Sequence, residues 1–352
     1  MPALARAATL TVAACGLAWP AVGALAQPPS VTPVPPSGPT DSVYRRQAAA
    51  AASAGMPPAP AVPAGLAPAV VAPAAGTSSG DTTPAEAAAQ AERIVAAALA
   101  ALGRAESISA RVRQRVRVDD RVIVGAGRYV QSGLGEDQRF RYESSMQSDT
   151  ETFELLDVCD GLFAWSFRRI GPQPPVLERL DVRRIRDRLR QLAPGDDMTV
   201  SPYLGGVQRT LALLRDWFRF VAVETAAIDD LPVWRIEGRW NPVMLAALVP
   251  ALKEAASREG GVTAAELPDG TPWSVRLSIG KRDLFPFRIE WLAIPGRRPV
   301  ADGPPEPVAV LELYDVRIGE PVDAAAFVYK PAIDGLVDLT ETRVRQLAPL
   351  RP

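Results

Sequence analysis

The chain has 352 residues and a formal net charge of −1, enough for one large domain or two ordinary ones with extensions. So balanced a charge supplies no basic field for nucleic acid, and the absence of histidine removes Ser/His and Cys/His nucleophile pairs and His-ligated metals. Only three of the 39 basic residues are lysine (Lys253, Lys281, Lys330), so arginine clusters reflect overall composition before they reflect a site.

Residues 1–26 place Arg6 before an apolar run that Pro20 interrupts, and Ala24-Leu25-Ala26 has the form of a cleavage site. This pattern predicts a removed signal peptide rather than a membrane-spanning anchor. "VAAC", residues 12–15, offers a competing reading in which Cys15 is lipidated. The apolar run continues well past Cys15, which favours soluble export to the periplasm or cell envelope over a lipid anchor. Without Cys15 the remaining thiol is Cys159, which cannot form an intrachain disulfide and reads as a small buried apolar residue. Residues 27–84 hold 13 of the 35 prolines, and such a composition predicts a disordered Pro/Ala-rich linker.

A single folded domain is expected over 85–348. Pro84 opens an Ala/Leu-rich helix that stops at Gly103. "SARVRQRVRV", 109–118, alternates Val112, Val116 and Val118, with Gln114 in the same row, against four arginines, and reads as a strand with one solvated face. Four further strand patterns follow at short intervals: 121–131, 138–144, 152–158 and 162–169. Asp160-Gly161 marks a hairpin turn before the last, in which Phe163, Trp165 and Phe167 share a face. Helical spacing is read over 177–192 and over 203–218.

Strands resume at 218–227 and 231–240, and in the second Trp234, Ile236 and Trp240 share one apolar face. Asn241-Pro242 caps a helix over 242–257 that Pro250 should kink or split. Three closing strands are read at 273–280, 280–292 and 308–318, and Asp338 with Glu341 has capping-box spacing for a short terminal helix. In "GKRDLFPFRIEWL" the residues Phe285, Phe287, Ile289 and Trp291 point inward, and Pro286 should lie at an edge or bulge. The fold class this implies is α+β: a strongly curved antiparallel sheet, an incomplete β-barrel, covered by a few helices. Acidic pairs such as Asp119-Asp120, Asp196-Asp197 and Asp229-Asp230 sit between elements and read as turn chemistry. No catalytic, metal or cofactor site is expected, and the protein reads as a non-enzyme.

An Ala/Leu-rich helix followed by Ser107 to Val116, Gly127 to Tyr129, Arg139 to Glu143, Asp160-Gly161 with Trp165, and Phe327 to Pro331 resembles the LolA/LolB-like superfamily of periplasmic lipoprotein carriers. The resemblance spans roughly residues 85–345 and is to an uncharacterised bacterial branch of the superfamily. It implies an incomplete barrel closed by helices, whose apolar interior accepts acyl chains of a lipid or acylated lipoprotein, with no cofactor and no integral membrane span. Candidate cavity residues are Phe140, Tyr142, Phe163, Trp165, Phe285, Phe287 and Trp291. An envelope sensor or interaction protein on the same fold, binding a peptide or protein partner, is the alternative.

Overall fold

The computed structural model describes residues 83–118, 121–148, 151–192, 201–259, 261–268, 271–294 and 305–347. The expected signal peptide, Cys15, the linker up to residue 82, and the pairs Asp119-Asp120 and Asp196-Asp197 lie outside the described residues. Helix α1 (Pro84–Arg104) begins at a capping box: Glu86 N–H donates to Thr83 Oγ1 at 3.3 Å, and Thr83 N–H to Glu86 Oε2 at 2.8 Å. Six strands follow: β1 (Ser107–Val118), β2 (Arg121–Ser132), β3 (Arg139–Gln147), β4 (Thr152–Cys159), β5 (Phe163–Ile170) and β6 (Val176–Asp181). Helices α2 (Val182–Leu192), α3 (Ser201–Leu204) and α4 (Gly206–Trp217) lead to β7 (Phe218–Ile228) and β8 (Leu231–Trp240). An excursion through α5 (Pro242–Leu248) and α6 (Lys253–Ala256) precedes β9 (Ser274–Gly280), β10 (Pro286–Ala293) and β11 (Glu306–Ile318). Strand β12 (Leu336–Asp338) and α7 (Thr340–Gln346) close the described chain.

The strands form one open sheet in the order β12-β6-β5-β4-β3-β2-β1-β11-β10-β9-β8-β7, so two meanders meet at β1 and β11. Every pairing is antiparallel except that of β12 with β6. The sheet must curl, because α1 reaches both wings of it. Phe220 N–H of edge strand β7 donates to Glu92 of α1, and Gln131 of β2 donates to Leu102 O at the other end of the same helix. Ten helical residues span about 15 Å, whereas six strand spacings in a flat sheet would separate β2 from β7 by about 29 Å. Glycines permit the tight bend between β2 and β3. A Cβ on Gly127 would lie 1.9 Å from the Glu143 carbonyl oxygen, and one on Gly125 only 2.1 Å from Met146 Cγ.

The concave face carries the core. Val112, Tyr129, Phe140, Leu277, Ile289, Trp291 and Leu311 are all at most 2% exposed, and α1 covers them with Ala91, Val95, Ala98 and Leu102. The convex face is an ion-pair lattice. Arg113, Arg115 and Arg288 converge on Glu312, and Arg117 pairs with Glu306, Arg276 with Glu237, and Arg235 with Glu224. The four-arginine row of β1 is therefore a neutralised sheet surface.

Three expectations are corrected. Residues 176–181 extend the sheet instead of starting α2, because the helical apolar spacing begins only at Val182 while Leu177 and Leu180 pair beside β5. The helix over 203–218 is broken at Gly205-Gly206, where a Cβ on Gly205 would touch the Phe140 ring at 3.0 Å and Gly206 has φ +68°. The residue before α7 is Leu339 rather than Asp338, although Asp338 Oδ1 still accepts the Thr340 N–H. Asn241 caps α5, Pro250 splits that helix, and the β9–β10 register shifts between Pro286 and Arg288, all as the residues imply.

Candidate ligand-binding site

The seven candidate residues divide between two faces. Phe140 and Tyr142 point inward from β3, and Phe285 and Trp291 are buried in the same core; each is at most 2% exposed. Phe287 is half-buried, packed edge-on against Phe285 at 5.2 Å between ring centres. Phe163 and Trp165 lie on the other side of the sheet. Phe140 pairs with Cys159 and Cys159 with Ala164, so the inward positions of β5 are Ala164 and Ser166; Trp165 pairs with Val158 on the convex face. Small side chains face inward there because the α4 N-terminus approaches closely at Gly205-Gly206. Trp165 meets the C-terminal segment instead, with Tyr329 edge-on to it at 6.2 Å, and Arg179 lies 5.0 Å over Phe163.

The middle of the concavity is filled, and a buried glutamine network fastens its filling. Gln208 of α4 donates to Gln131 Oε1 at 3.0 Å and to Gln138 Oε1 at 2.8 Å. Gln131 donates in turn to Leu102 O at 2.8 Å, and Tyr129 O–H donates to Gln131 Oε1 at 2.5 Å. Gln114, the polar member of the β1 row, donates to Tyr142 Oη at 2.9 Å. These bonds satisfy the carbonyl end of α1 inside an apolar core and tie α1, α4, β2 and β3 together. Burial alone pushes the Tyr129 phenol up from its ordinary value, so it stays a neutral donor.

A charged cluster lies beside the α4 N-terminus, around a cavity of about 70 Å³ lined in part by Asp157, Arg168, Glu178, Arg209 and Arg343. Arg168 pairs with Glu178 at 2.5 Å, and Arg209 Nη1 donates to Tyr203 O at 3.0 Å. Burial raises the Asp157 carboxyl, against the Ser166 hydroxyl and the charges of Arg168 and Arg209, and burial lowers the Arg209 guanidinium to about 9. The cavity has room for only two or three waters at about 30 Å³ each. Its charges fasten α4 and α7 to the sheet.

The larger opening lies where β8 leaves the sheet. Asn241 Oδ1 accepts the Val243 N–H and starts α5, Pro250 breaks the helix, and the chain returns to β9 through Trp273. Between the outgoing and returning arms is a cleft of about 360 Å³, walled by Trp240, Trp273, Leu245, Val262 and Leu267, with Arg239 at its rim. Trp240 separates this cleft from the sheet interior. One side of it packs on Phe218 (4.4 Å) and Trp217 (6.3 Å), and its indole N–H donates to Pro272 O at 2.7 Å. Leu245, Leu252 and Leu267 form a small second core beneath. The Arg239 guanidinium lies 5.1 Å over the Trp273 ring. Apolar walls, aromatic faces and a single cation suit an apolar chain, and the volume lies within the range of small-molecule pockets, about 300–1,000 Å³. The sequence pattern placed Trp240 on the apolar face of its strand but did not single out Trp273. Two tryptophans flanking a proline-interrupted excursion were the available signal.

Among the described residues no group of three or more His, Cys, Asp or Glu is arranged to hold a metal ion, and no helix is long and apolar enough to cross a membrane. No family model matches the chain, and no curated protein does. Solved structures give likenesses at low identity. A DUF1329 family protein from Desulfovibrio piger is 10% identical, with TM-score 0.30, over 69% of this chain and 98% of that one. An outer membrane lipoprotein-sorting protein domain from Vibrio parahaemolyticus is 9% identical, with TM-score 0.28, over 68% and 97%. A LolA superfamily protein from Nitrosomonas europaea is 14% identical, with TM-score 0.21, over 68% and 97%. These likenesses, at TM-scores of 0.21 to 0.30, go no further than the general course of the chain.

Proposed function

We propose that this chain is a non-enzymatic binding protein of the periplasm or cell envelope that shelters an acyl chain of a lipid or lipoprotein. The export signal expected in residues 1–26 supports the location, and the tryptophan-walled cleft of about 360 Å³ carries the binding. The seat is this cleft at the end of the concave face rather than its centre, because Phe140, Tyr142, Phe285 and Trp291 are closed within the core. Sheltering ten methylenes contributes about 8 kcal/mol in gross transfer free energy. Immobilisation offsets much of that, so the expected affinity is moderate and the ligand exchangeable, as a carrier in lipoprotein sorting would require.

Native mass spectrometry of protein prepared from an envelope fraction, with displacement of a fluorescent fatty acid in parallel, tests this. A bound lipid mass and displacement by unlabelled fatty acid are the expected results. An empty protein that binds no fatty acid sinks the reading, and an empty protein that captures one stoichiometric envelope partner would support the sensor alternative.

A further inference from the structure

The lattice of charges on the convex face has an exception beside the cleft. Arg219 of β7 and Arg239 of β8 stand directly opposite one another in the antiparallel register. Like charges in that position repel. Elsewhere the same pair of strands puts Glu224 opposite Arg235, joined at 2.9 Å, and the neighbouring strands join Arg276 to Glu237 at 3.1 Å and Arg288 to Glu312 at 2.7 Å. Among the described residues neither Arg219 nor Arg239 has a carboxylate within ion-pair distance, although the face around them is built from such pairs. Arg239 is held over Trp273, so its guanidinium is fixed at the rim of the cleft instead of extending into solvent.

We infer that the ligand is a single-chain amphiphile with an anionic head, its chain between Trp240 and Trp273 and its carboxylate or phosphate on Arg239 and Arg219. This inference rests on the acyl-binding reading above and adds the headgroup to it. A planar guanidinium offers paired N–H donors that match an oxyanion. An anion between the two arginines also relieves their mutual repulsion, a gain that a neutral head cannot supply. The volume argues for one chain: about 360 Å³ is a dozen waters' worth of space at about 30 Å³ each, and a methylene is of similar size. A second long chain does not fit.

The test is titration of the full chain by its tryptophan fluorescence with dodecanoate, dodecyl phosphate, dodecanol and inorganic phosphate, below micelle-forming concentrations. At least one of the two anionic amphiphiles should bind about tenfold or more tightly than dodecanol, the effect of one charge-assisted hydrogen bond. Which of the two binds tighter distinguishes a carboxylate from a phosphate head. In Arg219→Gln/Arg239→Gln the ratio of anionic to neutral affinity should fall close to one. In Arg219→Glu, where a carboxylate faces Arg239 permanently, it should fall to the same level. Equal binding of dodecanol and both anionic amphiphiles overturns the inference and leaves the acyl-binding reading standing. An unchanged ratio in both variants also overturns it, as does inorganic phosphate binding as tightly as dodecyl phosphate. No binding of any dodecyl compound overturns the inference and the acyl-binding reading together.

Discussion

Replacing Gln208 by Ala tests whether the helices that fill the concavity are fastened by the buried amides. The Gln208 side-chain nitrogen lies 3.0 Å from Gln131 Oε1, 2.8 Å from Gln138 Oε1 and 3.4 Å from Leu102 O, inside a core where Gln208 is 2% exposed. Truncation removes two good hydrogen bonds, each contributing about 1 kcal/mol net, and one buried methylene at about 0.8 kcal/mol. It also removes Gln208 Oε1, which has no donor among the described residues, and so relieves a cost of about 1 kcal/mol. The balance is a loss of about 2 kcal/mol, a large part of a typical domain's stability. Gln208→Met keeps the side-chain volume and should lose somewhat less, whereas Gln208→Glu points carboxylate oxygens at two acceptors and should lose more. Urea unfolding followed by tryptophan fluorescence gives the three midpoints. A Gln208→Ala protein within about 0.5 kcal/mol of the parent would refute the argument, as would a Gln208→Glu protein more stable than Gln208→Met.

Gly127→Ala places a methyl carbon 1.9 Å from a backbone oxygen that cannot move without breaking the β2–β3 ladder, and should cost more than about 3 kcal/mol; an unchanged thermal midpoint would contradict the bend described above. The Cys159 thiol is fully buried, and burial pushes it up to about 12. Peptide mapping after treatment with a thiol reagent at pH 8 should find Cys159 unlabelled in folded protein and labelled in urea; labelling in the folded state would show that the core beneath α4 opens. The Asp338 carboxyl is held down at about 2 by hydrogen bonds from Thr340 and by Arg179, which it meets at 2.6 Å. Its stabilising contribution is present above the ordinary carboxylate value of 3.8 and is lost as pH falls toward 2. Asp338→Asn should therefore be less stable than the parent at neutral pH, by less than about 1 kcal/mol for so exposed a pair. The difference should close between about pH 4 and pH 2, and a gap that widened on acidification would reverse the assignment.

Much of the sheet was legible because period-two patterns and turn residues agree locally. Asp160-Gly161, Asn241-Pro242, Pro250 and Pro286 each act where backbone chemistry requires. What was not legible depends on distant partners. Alternation shows that Phe163 and Trp165 share a face, but the identity of that face follows from the approach of Gly205-Gly206, some forty residues later in the chain. Strand β6 was hidden because its short run abuts the helical spacing that begins at Val182. The cleft is a property of Trp240 and Trp273 brought together by the excursion between β8 and β9, which no local pattern encodes. Gln114 alone among the buried glutamines announced itself, as a polar residue in an apolar row.

Photolabelling locates the acyl chain most directly. A dodecanoic acid carrying a diazirine near its methyl end would be irradiated on the full chain and the adducts mapped by peptide sequencing. The account predicts adducts concentrated between residues 239 and 273, lost when excess unlabelled dodecanoate is present. Adducts on the strands that carry Phe140, Tyr142 and Trp291, with the segment from 239 to 273 unlabelled, would contradict it.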